Sequence, residues 1–164
     1  MSKQFWIFAI AGLAIAGALV FFLLLGTKSA HLELTGKILK VRVLNLGPRA
    51  CFVAADFRLT NPSGVPFVVR SLELVLESST GEPASAAVSS KAQVDTVFQG
   101  ARLIGTKYND VLGLRDRVEP NRTIDRMAAG RFELPEAAVN ARKSLRLRLE
   151  DVDGTTAEIL ETQP

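Results

Sequence analysis

The sequence predicts a mainly β protein, an antiparallel β-sandwich carried behind an N-terminal transmembrane helix. Three observations lead there. Residues 57–76 read as strand, tight turn and strand; Leu145, Leu147 and Leu149 alternate strictly with Arg146, Arg148 and Glu150; and residues 4–27 contain no charged side chain. A two-residue period marks a strand with one buried face, and a long apolar run marks a membrane span.

The hairpin at residues 57–76 organises the rest. Asn61-Pro62-Ser63-Gly64 fits a type I turn position by position, with Asn at the first corner, Pro setting φ at the second and Gly at the fourth. Ahead of it, Cys51, Val53, Ala55, Phe57 and Leu59 alternate with Phe52, Ala54, Asp56, Arg58 and Thr60. The first set is the expected core face, so Phe57 is expected inside and Phe52 on the less protected face. After the turn, Val65, Phe67 and Val69 have the opposite parity to Leu72, Leu74 and Leu76. A bulge near Arg70-Ser71, or a crossing between sheets, reconciles them.

The other elements follow in order. Residues 38–44 form the first strand, with an imperfect alternation of Ile38, Val41 and Val43. Residues 78–83 are a turn. Residues 84–101 carry both a strand pattern (Val94, Thr96, Phe98) and a helical one (Ala84, Ala87, Val88, Ala92), and strand is favoured because the neighbours are strands. Residues 102–121 lack a clean period, with a short strand expected at 111–114. Residues 123–132 form a strand. Residues 134–143 read as a short helix, with Pro135 in its first turn and Arg142 and Lys143 in its last. The chain closes with a hairpin of Leu145, Leu147 and Leu149, the turn Asp151-Val152-Asp153-Gly154, and a strand at 157–160. About seven short strands with frequent turns is the pattern of a sandwich. The domain division is an anchor at 1–28, a linker at 29–36 and the sandwich at 37–164.

A helix over residues 5–25 is about 30 Å long, the thickness of a bilayer core. It outruns the apolar stretch of a signal peptide, and Lys28 stands where a cleavage site after Ala30 wants a small residue. The amino terminus and Lys3 lie on one side. On the other only Lys28 is clearly juxtamembrane, with Glu33 after it, which favours an exported domain, although a plain count that includes Lys37, Lys40 and Arg42 weighs the other way. Gly12 and Ala16, four apart, allow close helix–helix association. The 20 Lys and Arg nearly balance the 17 Asp and Glu. Mixed charge of this kind gives no nucleic-acid footprint. Residues 102–131 hold a modest excess of arginine and lysine, suited to a solvated mixed-charge surface first, and otherwise to lipid headgroups or an acidic partner.

The search for chemistry yields no catalytic, cofactor-binding or metal residues. The single histidine, His31, falls in the linker, which argues against a His-based triad. The single cysteine, Cys51, excludes an internal disulfide and reads as a buried thiol. Asp151-Val152-Asp153-Gly154 opens like a calcium loop, but position twelve is Thr162 where glutamate is needed. Glu150, Asp151 and Asp153 retain at most a weak cation affinity. Asn121-Arg122-Thr123 has the form of a glycosylation sequon.

Phe57, Thr60-Asn61-Pro62 and the strand at 65–74, behind a single N-terminal anchor, resemble the late embryogenesis abundant type 2 proteins, also described through the water-stress and hypersensitive-response domain. The resemblance implies a fibronectin-like or immunoglobulin-like sandwich and a non-enzymatic role in stress protection, in bacteria commonly in the envelope. Residues 134–143 and the ending at 145–154 are not part of that pattern. The functional expectation is therefore a single-pass membrane-anchored module with a structural, binding or stress-protective role. The alternative is a non-catalytic subunit of a larger membrane complex. The partners expected are the membrane, through the N-terminal helix, and a protein or a second helix packed on that one, with no nucleic acid.

Overall fold

A computed structural model of the chain describes residues 12–13, 15–21 and 33–161. Residues 12–13 and 15–21 are helical, while the rest of the apolar run, together with His31, lies outside the described residues. Among the described residues no helix is long and apolar enough to cross a membrane.

Two antiparallel sheets face one another. The first has the order β1-β2-β6, formed by β1 (Thr35–Gly47), β2 (Ala50–Asn61) and β6 (Arg122–Phe132). The second has the order β4-β3-β7-β8, formed by β3 (Phe67–Glu77), β4 (Pro83–Ala87), β7 (Ser144–Asp151) and β8 (Thr156–Leu160), with the two-residue β5 (Arg117–Val118) also paired to β3. The inner faces meet in a core that includes Phe57, Leu59, Leu74, Leu76, Phe132 and Ile159. Leu145, Leu147 and Leu149 all point into it, as their alternation predicts, while Arg148 is exposed.

Both imperfect alternations in the sequence are bulges. The β3–β7 register shifts between Val69 and Ser71, so Val69 and Leu72 reach the same core despite their opposite parity. The β1–β2 register shifts between Ile38 and Lys40, which brings Ile38 into line with Val41 and Val43. The extra residue in one strand restores the inward face after the slip. The first strand begins at Thr35, within the stretch expected to be linker.

The corner after β2 is held by side chains. Asn61 Oδ1 accepts from the Ser63 amide at 3.0 Å, and Asn61 Nδ2 donates to the carbonyls of Val65 and Val118 at 2.8 and 2.9 Å. The Ser63 hydroxyl lies 2.7 Å from both Asn61 Oδ1 and the Val65 carbonyl. At the other hairpin, Asp151 is buried and its Oδ1 accepts from the amides of Val68 and Val152. That carboxylate ties β7 to β3, which is a structural use of the residue.

The sheets are joined at both margins. Ile38 bridges Glu161 in parallel just beyond β8, and Val88 bridges Gly130 just beyond β4. A Cβ on Gly130 would sit 2.9 Å from the Ala87 carbonyl oxygen and 3.2 Å from the Ala86 Cβ. Glycine is therefore what lets β4 cross to β6 at backbone distance. The helix α2 (Glu136–Asn140), inside the predicted 134–143, buries Val139 and sends Glu136 to Asn45 on β1, covering that strand's free edge.

Two strand assignments fail. Residues 84–101 are only in part a strand. After β4 the chain turns into a helix, α1 (Lys91–Gly100), started by a capping box in which Ser90 and Gln93 each bond the other's backbone amide. Val94, Val97 and Phe98 form its inner side, a three-and-four spacing that the two-residue reading of Val94, Thr96 and Phe98 missed. Residues 111–114 are not a strand either: Val111 makes an isolated bridge to Met127, and the short strand lies later, at β5.

The helix changes the status of the outer face of the first sheet. Phe52 is 4% exposed and packs with Ala54, Val94, Ile104, Met127 and Ala129 in a second core. The expectation that Phe52 would be the less protected residue is thus corrected, because β2 is covered on both sides.

Several carboxylates on the surface are held below their ordinary range by a hydrogen-bonded cation: Glu77 by Lys143, Asp125 by Arg58, Glu158 by Arg148. A carboxylate lowered in the fold binds fewer protons than in the unfolded chain. Its small stabilisation is present above the unfolded value and is lost as pH falls through the folded one.

Phe52→Ala and Phe57→Ala are each expected to cost about 3–5 kcal/mol, the range for large truncations in a packed core. Leu147→Asp is expected to abolish cooperative folding, whereas Arg148→Asp keeps it. Denaturant and thermal melts of a chain beginning at Ser29 measure all four. A Phe52→Ala loss well below that of Phe57→Ala would mean that α1 covers β2 only loosely.

Candidate functional site

Two places outside the main core combine polar groups with enclosure. The first is a charged cluster under α1. Arg42 on β1 and Asp56 on β2 share the outer face of the first sheet, and their side chains are 9% and 5% exposed. Arg42 Nη2 donates to Asp56 Oδ2 at 2.6 Å, and Asn109 Nδ2 donates to Asp56 Oδ1 at 2.9 Å. Arg42 Nη1 donates to the Thr106 carbonyl at 2.6 Å and lies 3.4 Å from that of Ile104. The guanidinium also lies 4.9 Å from the centre of the Phe98 ring. Arg42 Nε is buried without a hydrogen-bond partner among the described residues.

The cluster is a clamp. One guanidinium neutralises the carboxylate that β2 carries into the second core and collects carbonyls from the loop after α1. A buried charge pair needs this many hydrogen bonds to offset desolvation. The neighbouring ion pair of Lys107 with Asp95 fastens the same loop to α1. A depression of about 520 Å³ beside it, lined by Asp95, Phe98, Gln99 and Arg102 among others, opens widely to solvent.

The second place is a cavity of about 490 Å³ in the wall of the second sheet. Its origin is topological. β4 pairs with β3 only over Glu73–Glu77, and β5 pairs with it only at Phe67 and Val68. Between them, Arg70, Ser71 and Leu72 face no strand on that edge, and Val88 has already crossed to β6. The gap is bounded by residues 112–114 on one side and by Ser89, Ser90 and Lys91 on the other.

Its walls are fixed. The Val69 amide donates to the Asp116 carbonyl at 3.0 Å and the Arg115 amide to Val69 at 2.7 Å. Leu112 donates to Met127 and Ser89 to Ala129 by backbone bonds of 2.9 and 2.7 Å. Arg115 adopts φ of 68°, which allows the tight return from Gly113 to Asp116. The cavity is therefore preformed, as small-molecule sites usually are.

No protein-family model matches the chain, and no curated protein matches it.

The residues weighed for chemistry are dispersed. Cys51 is fully buried in the main core, where burial pushes its thiol up and Glu136 adds to the shift. Asp151 is engaged by backbone amides, and among the described residues no group of three or more His, Cys, Asp and Glu could hold a metal ion. Neither the clamp nor the cavity was foreseen. The sequence signals were Ser90-x-x-Gln93, which starts α1, and the apolar run Cys51–Ala55, which has no polar parity and so reads as a strand buried on both faces.

Asp56→Leu alone is expected to cost about 3–5 kcal/mol, because it leaves Arg42 buried and uncompensated. The double substitution Arg42→Met with Asp56→Leu is expected to recover most of that loss. A double-mutant cycle by denaturant melts checks it, and a double variant as unstable as the single would show that the charge pair is not what the sequence must balance.

Proposed function

We propose that this chain is a non-enzymatic, single-pass membrane-anchored β-sandwich module, with a structural, binding or stress-protective role in a cell envelope. The observation that carries the reading is the adjacency of two parts. An uncharged apolar run at residues 5–25 is followed, after few residues, by a β domain whose first strand begins at Thr35. A span followed by so short a connection holds its domain close to the bilayer. The buried polar groups support a non-catalytic reading, since Arg42, Asp56, Asn61 and Asp151 are all occupied in holding segments of the fold together. The resemblance of residues 57–74 to the late embryogenesis abundant type 2 pattern agrees with a stress-protective role. With the amino terminus and Lys3 before the apolar run, the single juxtamembrane Lys28 after it favours an exported domain.

One observation favours the second reading, a non-catalytic subunit of a larger membrane complex. Leu103 is 93% exposed and Tyr108 68%, on the loop that follows α1, with Lys40 over the Tyr108 ring. Exposed apolar side chains beside cations suit a protein surface that becomes covered.

The full chain is expected to stay in the membrane pellet after alkaline and high-salt washing, while a chain beginning at Ser29 is released. Mature protein starting near His31 would overturn the anchored reading. Isolation in mild detergent separates the two roles, because a stoichiometric partner selects the second.

A further inference from the structure

We propose that the cavity in the wall of the second sheet binds a single-chain carboxylate, a medium-length fatty acid, with its chain against Leu72, Val88 and Leu112 and its head group between Arg70 and Lys91. The inference rests on the binding role proposed above and gives that role a ligand class.

The lining has a polarity. Its inner part is built from Leu72 and Leu112, both members of the main core, so the cavity reaches the hydrophobic interior of the sandwich. Its remaining polar residues are hydroxyls and cations: Ser71, Ser89, Ser90, Arg70 and Lys91. None of the lining residues is itself acidic, and the nearest acid at the Arg70 end is Glu150, which accepts from the Ser71 hydroxyl at 2.9 Å. Leu114, 66% exposed, extends the apolar surface out to the rim.

Both cations are exposed. Among the described residues the ion-pair contact of Arg70 is Glu150 at 3.4 Å. Lys91 has no ion-pair partner among the described residues. It also occupies the first position of α1, whose first turn contains no acid. A helix start favours a negative charge, so a lysine there is better placed once a carboxylate stands beside it.

Size and chemistry then select the ligand. At about 490 Å³ the cavity lies in the range that takes one small molecule. A two-chain lipid is too large for it. A bare inorganic anion would leave the apolar walls wet, and a neutral hydrocarbon would leave Lys91 without a counter-charge. A carboxylate on one unbranched chain satisfies both ends.

The test uses the full chain in membranes and a decanoate that carries a diazirine at its chain end. Illumination followed by peptide mapping separates site from solvent: labelling of residues 5–25 reports partition into the bilayer, and labelling near Leu72, Val88 and Leu112 reports the cavity. Cavity labelling is expected to saturate and to be removed by excess decanoate. Octanoate should need about fifteen times more, since each lost methylene weakens binding about fourfold. Decanol should compete about tenfold less well than decanoate, for want of the charge-assisted hydrogen bonds. Arg70→Gln with Lys91→Gln should raise the competing decanoate concentration about tenfold or more. Both residues are exposed, so the double variant is checked for an unchanged melt. The proposal is overturned if the cavity peptides are labelled no more than the rest of the domain surface, if labelling does not saturate, or if the double variant competes like the parent. None of those results affects retention in the membrane pellet.

Discussion

Strand β2 has protein on both of its faces, and most of the architecture answers to that constraint. From Ala50 to Phe57 every residue is buried. Cys51, Val53, Ala55 and Phe57 fill the space between the sheets, while Phe52 and Ala54 fill the space under α1. A sandwich needs only one covered face per sheet. Covering the second obliges the chain to supply a helix and a returning loop, and it forces Asp56 out of water. Arg42 and Asn109 follow from that carboxylate, and the loop after α1 takes its path from Arg42. Helix, clamp and loop are thus one solution to a single burial problem.

The same layout explains the gap in the opposite sheet. β4 cannot both complete the flank of β3 and lead into a helix on the far side of the first sheet. It pairs for five residues and then leaves, crossing over Gly130. What it leaves unpaired on β3 is filled by a loop with Gly113 and Leu114 rather than by a strand, and loops fill space less completely than strands. The cavity is where two sheets, one crossing strand and one helix start fail to tile.

How far this was legible follows from what each signal measures. Periodicity reports one buried face well, so Leu145, Leu147 and Leu149 read directly. It also reports its own interruptions. The parity change at Arg70-Ser71 and the gap after Ile38 are both bulges, and their register was implicit in the spacing. Where two faces are buried the signal disappears, because Phe52 and Ala54 are as apolar as Val53 and Ala55. At residues 84–101 a strand and a helix adjoin, and one window averages two periods. Ser90 and Gln93 mark the border between them through local hydrogen bonding, a cue independent of hydropathy. The cavity had no sequence signal of its own, since its walls come from three segments joined only by tertiary pairing.

The parallel bridge between Ile38 and Glu161 joins the two extremes of the described domain. Until β8 is in place, β1 lacks that neighbour and Leu145, Leu147 and Leu149 lack the strand beside them. Closing so long a loop comes late and slowly, as it does in β proteins dominated by distant pairings. The domain therefore matures only after its last strand has been synthesised. Until then the outer edges of β1 and β7 stand unpaired and open to chaperones.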